Sequence, residues 1–278
     1  MADPAVVLHQ QRRAAFGPPS ARLRLVTLLV ALFLLLPSCV VVAMSFSAGK
    51  LLTFPPQGFS LEWYGNFFRS KAWSGSTVNS LQVALLATAG ATLLGTLAAV
   101  GLVRGRPPGG GLMRAILLSP MIVPVVVSGL GFYISVQASG LGAFPSLVLA
   151  HIVLATPFVL LTVSASLYGL PRQYELAAYT LGAGRGYTFL RVTLPLILPG
   201  VGVGALFAFV TSWDEIVAAL FLSSPRMRTL PVTMWEQARH SVDPTIAAAS
   251  SLLTLVTLLV LLAALSRRRF RRATPGER

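Results

Sequence analysis

An all-α integral membrane protein with six transmembrane helices is the fold class that the sequence predicts. Of the 278 residues, 55% belong to the AVILMFWYC group and only 11% are charged. With glycine included and tyrosine left out, the apolar share is about 61%, against about 45–50% in soluble domains. Long apolar runs separated by charged segments complete the pattern. Together these observations predict a membrane environment.

Six apolar runs of about 19 to 27 residues divide the chain, and a helix of about 20 residues crosses a hydrocarbon core about 30 Å thick. Each run is therefore long enough to span a bilayer. The six predicted spans are 26–44, 81–103, 115–136, 145–167, 196–222 and 246–265.

The orientation of these spans is predicted from the basic residues between them. Sixteen of the 22 Lys and Arg residues fall in the N-terminal tail, the second and fourth connecting loops and the C-terminal tail. The remaining six fall in the first and fifth loops. Because basic residues collect on the cytoplasmic side, both termini are predicted to be cytoplasmic.

This topology gives three parts: a cytoplasmic tail at 1–25, a transmembrane domain at 26–265 and a basic cytoplasmic tail at 266–278. We expect the first span to be retained, because its apolar stretch exceeds the about 7 to 15 residues of a cleaved signal peptide. The arginine cluster at 267–272 directly follows the last span. We expect it to anchor that helix beside anionic lipid and not to bind nucleic acid.

No nucleotide-binding or catalytic motif is present in the sequence. The pattern Gly-x-x-x-x-Gly-Lys-Ser/Thr is missing, so we expect the chain to bind no cofactor and to hydrolyse no ATP itself. Cys39, His9, His151 and His240 show neither zinc-ligand spacing nor a nucleophile motif, which predicts a non-catalytic chain without a metal. His151 lies within the fourth span, where it is either a functional group or a hydrogen-bonded packing residue.

Small residues and prolines indicate how the spans pack. Ala87, Ala91 and Gly95 recur at every fourth position of the second span, a stripe that lets another helix approach closely. Pro120 and Pro124 lie within the third span, which we expect to kink.

The loop between the fourth and fifth spans has a more specific pattern. Pro171 can begin a helix, and Gly182 with Gly184 can end it. A second short helix is predicted to begin at Arg185 and to continue through Pro195 into the fifth span. The loop is therefore predicted to be a helix, a glycine turn and a second helix on the cytoplasmic side.

At these residues the sequence resembles the permease subunits of bacterial ABC importers. Their signature is Glu-Ala-Ala-x-x-x-Gly, followed after nine residues by Ile-x-Leu-Pro. Ala177, Ala178 and Gly182 match its first part, and Leu194 and Pro195 match its second part at the same spacing.

Two positions depart from that signature. Leu176 stands where the family usually has glutamate, with Glu175 one residue earlier, and Val192 replaces isoleucine. The segments 54–61, 79–81, 212–215 and 229–231 extend the resemblance over nearly the whole chain, which is most similar to the second permease of spermidine/putrescine-type importers.

The resemblance implies that residues 171–195, here called the coupling loop, dock against an ATP-hydrolysing subunit. The residues implied in this coupling are Glu175, Leu176, Ala177, Ala178, Gly182, Val192, Leu194 and Pro195. It also implies ABC ATPase subunits that use ATP and Mg, an extracytoplasmic solute-binding protein and a location in the bacterial inner membrane. Because one copy has few helices to enclose a conduit, we expect a second, homologous permease subunit.

The resemblance favours a polyamine such as spermidine or putrescine as the solute. Similar permeases serve ferric iron, thiamine or phosphonate, and these solutes remain alternatives. A secondary transporter or channel is an alternative of another class. It would be expected to show an internal repeat or a relay of intramembrane charges, and the sequence shows neither.

A candidate substrate path lies near the end of the fifth span, at Thr211, Ser212, Trp213, Asp214 and Glu215. A charge in mid-bilayer costs about 2.5 to 3.5 kcal/mol, so the two acids should not face lipid. One acid is expected to line the path while the other pairs with the partner permease or caps an interrupted helix. Alternatively, both acids end the span near the headgroups or pair with Arg226 and Arg228.

Overall fold

The computed structural model describes residues 20–56, 58–240 and 243–272, with the surroundings of side chains described as far as residue 263. Residues 1–19 of the predicted N-terminal tail and residues 273–278 of the predicted C-terminal tail lie outside these ranges. Within them the chain is helical, and extended pairing is limited to two isolated bridges, Ser47–Phe59 and Ser224–Met227.

The helices are labelled here in chain order. They are α1 (Ala21–Met44), α2 (Glu62–Arg69), α3 (Lys71–Val100), α4 (Gly110–Ile122), α5 (Val125–Ser139), α6 (Ala143–Tyr168), α7 (Gln173–Thr180), α8 (Arg185–Thr188), α9 (Leu194–Trp213), α10 (Val217–Leu222), α11 (Leu230–His240) and α12 (Thr245–Arg272). A π-helical turn at Gly101–Gly105 extends α3, and a second one at Phe189–Thr193 joins α8 to α9.

Within the residues that the structure describes, five helical segments are long and apolar enough to cross a membrane separately. They are α1, α3 with its π-helical turn, α6, α8 continued through α9, and the first part of α12 at Thr245–Ala263. α4 and α5 pass the same test only as a pair, and they are bent by 104°. The predicted all-α membrane fold is confirmed, with six spans when the bent pair counts as one.

The third predicted span, 115–136, is interrupted at Pro124 as expected, but the interruption separates two helices bent by 104° instead of kinking one continuous helix. α4 ends before Val123, whose backbone is extended with ψ 128. Val123 precedes Pro124, and the proline ring disfavours the helical conformation in the residue before it. Pro120 by contrast lies inside α4.

The fifth predicted span, 196–222, is also interrupted, in agreement with the expectation that one of its acids caps an interrupted helix. The chain leaves the helix after Trp213, so Asp214 and Glu215 lie in a break. The Glu215 carboxylate accepts hydrogen bonds from the backbone N–H groups of Ala218 and Ala219 at 2.9 and 3.0 Å. These donors have no partner within α10, and an acid beside them stabilises a new helix start.

α3, α6 and α9 pack against one another and form the core. The small-residue stripe lies inside it, since Ala87, Ala91 and Gly95 are all buried. A Cβ added at Gly95 would lie 2.7 Å from the Cβ of Val159 in α6, and one added at Gly204 in α9 would lie 3.0 Å from the Cα of the same valine. Small residues on α3 and α9 therefore set the distance of both helices from α6.

The remaining helices flank this core. α5 packs against α10, α11 packs against α3, and α12 contacts α9, α2 and α1. α2 buries Trp63 and Phe67. None of the residues of α1 is buried by the rest of the described chain.

Candidate functional site

The coupling loop contains the predicted helix, glycine turn and second helix. α7 begins two positions after Pro171 and ends before Gly182, whose backbone is left-handed with φ +84. The N–H of Gly182 donates to the carbonyl of Tyr179, and the N–H of Ala183 donates to the carbonyl of Ala178, both at 3.0 Å. This pair of bonds is a Schellman motif, which satisfies the last carbonyls of α7 and favours glycine at its left-handed position.

Most coupling residues lie at the surface of this chain. Leu176 and Ala177 are exposed, Ala178 is half-buried, and Leu181 beside Gly182 is 88% exposed. In the second part of the loop, Val192 and Leu194 are half-buried and Pro195 is exposed. α7 thus presents an exposed apolar surface that its own chain does not cover.

Glu175 is the exception, because it points into the protein. Its carboxylate oxygen Oε1 accepts hydrogen bonds from Arg104 Nε at 2.9 Å and from Thr193 Oγ1 at 3.0 Å. Arg104 Nη2 also donates to the carbonyl of Leu170 at 3.0 Å. Glu175 therefore holds a salt bridge within this chain, although Leu176 occupies the usual position of the acid.

The break between α9 and α10 is joined to α6 through His151. His151 is 1% exposed, and its Nδ1 lies 2.7 Å from Ser212 Oγ. Its Nε2 lies 3.6 Å from Oε2 of Glu215. The position of His151 is compatible with both roles expected of it. It is buried and hydrogen-bonded, as a packing residue would be, and it lies close to an acid, as a functional group could.

The candidate path residues before the acids differ in exposure. Thr211 is half-buried, whereas Ser212 and Trp213 are buried. Trp213 stacks on Phe209 with ring centroids 5.8 Å apart, and its Nε1 donates to the carbonyl of Leu253 at 3.4 Å. Ser212 and Trp213 consequently take part in packing between helices in this structure.

Asp214 differs from Glu215 because its side chain is exposed on this chain. It lines a cavity of about 340 Å³ whose other walls include Met234, Trp235 and Leu253. The guanidinium carbon of Arg239 lies 4.8 Å from the centroid of the Trp235 ring. The cavity is mostly apolar, with the Asp214 carboxylate in its wall, and the Trp235 ring already has the Arg239 guanidinium as its cation–π partner.

Among the residues that the structure describes, neither Asp214 nor Glu215 forms an ion pair with Arg226 or Arg228. Within the described chain, Arg228 pairs with Glu236 at 2.8 Å. The same part of the chain brings together no three His, Cys, Asp or Glu side chains that could hold a metal ion.

A comparison with known protein families matches residues 91–272 to the model described as the binding-protein-dependent transport system inner membrane component. The chain belongs to this family. It is therefore an inner membrane component of an ABC transporter and a multi-pass membrane protein.

Two curated relatives of this inner membrane component are polyamine permeases by name. The putrescine transport system permease protein PotI of Escherichia coli (strain K12) is 36% identical over 239 residues, which cover 83% of this chain and 85% of PotI. The spermidine/putrescine transport system permease protein PotC of the same organism is 28% identical over 232 residues, covering 83% of this chain and 88% of PotC.

A solved structure supports the fold of the inner membrane component. One chain of a bacterial alginate ABC transporter, in complex with its alginate pentasaccharide-bound periplasmic protein, superposes with a TM-score of 0.67 at 17% identity. The superposition covers 91% of this chain and 96% of that chain.

Sequence reasoning missed two residues that the inner membrane component places at its sites. Arg104 was counted only as a charge that orients the second span, although it pairs with Glu175. Trp235 was not singled out, although it shares a cavity with Asp214. A signal for Arg104 was available, because a basic residue directly after an apolar span and an acid in the coupling loop fall on the same predicted side.

Proposed function

We propose that this chain forms one permease half of an ATP-driven importer for a small polyamine such as putrescine or spermidine. The observation that carries this proposal is the 36% identity over 239 residues with a putrescine transport permease. In the proposed orientation both termini and the coupling loop face the cytoplasm.

The proposed partner at the coupling loop is an ABC ATPase subunit that binds ATP and Mg. The exposed apolar residues Leu176 and Ala177 of α7, with Leu181 directly after it, support docking there. The Schellman turn at Gly182 supports it further, because glycine leaves room for close approach by another chain. Closure of the ATPase subunits on ATP is proposed to displace this loop and the helices attached to it.

The proposed path for the solute passes Asp214. Polyamines are cations at neutral pH, and the exposed Asp214 carboxylate in a mostly apolar cavity supplies the opposite charge. A phosphonate would be repelled by the same carboxylate. Glu215 has a different proposed role, since its two oxygens are engaged at the start of α10.

A second, homologous permease is proposed to complete the conduit, and a solute-binding protein is proposed to deliver the polyamine on the outer side. ATP-driven movement of the coupling loops then alternates the access of the helices between the two sides. This chain contributes no catalytic group to that cycle.

The proposal is tested by measuring radiolabelled putrescine uptake into vesicles that contain the complete transporter. Asp214→Asn should lower uptake about tenfold, because a hydrogen bond to a charged group contributes about 1.5 kcal/mol or more. Basal ATP hydrolysis, measured on the same vesicles, checks that the transporter is assembled.

Glu236→Gln is the matched control. This acid lies one residue from Trp235, but it forms a half-exposed pair with Arg228, which contributes little to stability. Its uptake should equal that of the wild type. Unchanged uptake with Asp214→Asn would contradict the role of Asp214, and a wild-type transporter that takes up phosphonate but no putrescine would contradict the polyamine assignment.

A further inference from the structure

Four chain segments meet at one ion pair beside the coupling loop. Oε1 of Glu175 accepts from Arg104 Nε and from Thr193 Oγ1, and Arg104 also donates to the carbonyl of Leu170. These four residues, Arg104, Leu170, Glu175 and Thr193, are called here the coupling node.

The coupling node is largely withdrawn from solvent. The side chain of Glu175 is 7% exposed and that of Arg104 is 17% exposed, while Thr193 is 4% exposed. A buried charge needs its opposite charge and its hydrogen bonds, and losing one partner leaves the other uncompensated. The node is therefore held in a defined geometry, unlike a solvated surface pair.

Each residue of the node belongs to a different segment. Arg104 lies in the π-helical turn that extends α3, and Thr193 lies in the turn that leads into α9. Leu170 follows the end of α6, and Glu175 lies in the first turn of α7. Since α3, α6 and α9 form the core, the node connects α7 to all three core helices.

We propose that Arg104 is a positioning residue for coupling. Its bonds to Glu175 and to the carbonyl of Leu170 fix the coupling loop to α3, while Thr193 holds the same carboxylate to the turn before α9. A displacement of α7 then moves both helices together. This inference rests on the proposed function, in which an ATPase subunit displaces α7.

The chain connectivity alone would not produce this behaviour. The coupling loop is joined covalently to α6 at one end and to α9 at the other, and α3 is distant in sequence. Arg104 supplies the link to α3. It also engages the acid of α7 internally, so an ATPase subunit would meet the exposed Tyr174, Leu176 and Tyr179 instead of Glu175.

The test uses the complete transporter in proteoliposomes, with its ATPase subunits, second permease and binding protein. Its readout is the coupling ratio, defined as putrescine taken up per ATP hydrolysed. Arg104→Gln should lower this ratio about tenfold or more, as expected when a contact within one salt-bridge network is lost. Basal hydrolysis and copurification of the ATPase should stay as in the wild type.

Three further variants separate positioning from general damage. Glu175→Gln should lower the ratio as Arg104→Gln does, and the double variant should be no worse than either, because both remove the same interaction. Arg104→Lys keeps the positive charge, and its coupling ratio should therefore lie between those of Arg104→Gln and the wild type. Arg114→Gln is the control, because Arg114 lies 5.8 Å from the centroid of the Tyr168 ring and makes no bond to α7 within the described part of the chain. Its coupling ratio should not change.

The proposal is overturned if Arg104→Gln has the wild-type coupling ratio, or if Arg114→Gln lowers the ratio as much as Arg104→Gln does. It is also overturned if the losses caused by Arg104→Gln and Glu175→Gln add in the double variant. If the Arg104→Gln permease does not copurify with the ATPase, the coupling ratio of the Glu175→Gln transporter is measured instead. A wild-type ratio for Glu175→Gln overturns the proposal.

Failure of the proposed function has a different signature. A wild-type complex that hydrolyses ATP in response to its binding protein but takes up no putrescine refutes the polyamine assignment alone. The binding-protein stimulation of hydrolysis then replaces uptake as the readout for the same variants.

Discussion

Glu175 and Glu215 are acids beside the starts of short helices, but different partners fix them. Glu215 accepts two backbone N–H groups of its own helix, an interaction between near neighbours in sequence. Glu175 pairs with Arg104, 71 residues earlier. Capping of an interrupted helix could therefore be considered from the sequence. The partner of Glu175 could not be predicted from the sequence, because it depends on how the π-helical turn after α3 lies against α7.

Gly182 gives a prediction at the residue scale. Gly182→Trp should strongly lower putrescine uptake by the complete transporter, because a bulky ring at the turn opposes close approach of an ATPase subunit. A Cβ at this position meets no atom of its own chain within 4 Å, so the cost inside the chain is the left-handed backbone alone, about 1 to 2 kcal/mol. Copurification of the ATPase subunit is the second measurement.

Gly140→Trp is the matched control for this prediction. Gly140 is also left-handed, with φ +68, and a Cβ there also meets no atom within 4 Å. It precedes α6, on the side opposite to the coupling loop in the predicted topology. ATPase copurification should be retained with Gly140→Trp, and equal loss in both variants would show that backbone strain, not docking, causes the defect.

At the element scale, apolar length predicted where helices cross the membrane but not where they break. The runs at 115–136 and 196–222 are apolar enough to be continuous, yet both are interrupted. In the run at 115–136 a proline can either kink the helix or end it, and the packing of the neighbouring helices decides which of the two occurs. Here α5 packs against α10, with Gly129 so close to Phe221 that an added Cβ would lie 2.6 Å from its ring.

Two glycines of α9 give a prediction about helix packing. Gly204→Ala should lower the stability of the protein by about 1 to 3 kcal/mol, because overpacking at a helix contact forces the neighbouring backbone to shift. Its Cβ would lie 2.6 Å from Thr162 Oγ1 and 3.0 Å from the Val159 Cα. Thermal unfolding of the purified permease in detergent measures the change.

Gly202→Ala supplies the comparison within the same helix. A Cβ at Gly202 meets no atom within 4 Å, so this variant should be as stable as the wild type or slightly more stable. Equal unfolding temperatures for the two variants would contradict the role of Gly204 in the approach of α9 to α6.

At the scale of the whole molecule, composition and the spacing of the coupling loop were sufficient to predict the fold class and the family. Both depend on patterns that are local in sequence. The coupling node and the cavity at Asp214 depend on contacts between distant segments, so they required the structure.

The predicted orientation is tested by cysteine labelling in sealed cells, in a Cys39→Ser background. Exposed single cysteines at Lys50 and Arg226 should react with an impermeant maleimide, because the uneven distribution of basic residues places these loops outside. A cysteine at Pro108, exposed in the loop between α3 and α4, should react only after the membrane is permeabilised. Labelling of Pro108→Cys in intact cells would reverse the orientation.

The 104° bend between α4 and α5 has a consequence for the surface that this protein presents to lipid. Backbone N–H and C=O groups freed at such a break find no partner among acyl chains, and hydrocarbon tolerates irregular backbone only where protein or water covers it. Ser119, Ser128 and Ser135 line a cavity beside the break. The hydroxyls of Ser119 and Ser135 donate to helix carbonyls, and their remaining lone pairs can accept hydrogen bonds from water there. We therefore expect the side of the permease that carries Val123 and Pro124 to be turned away from the surrounding lipid, whereas α1 can meet the lipid along its length.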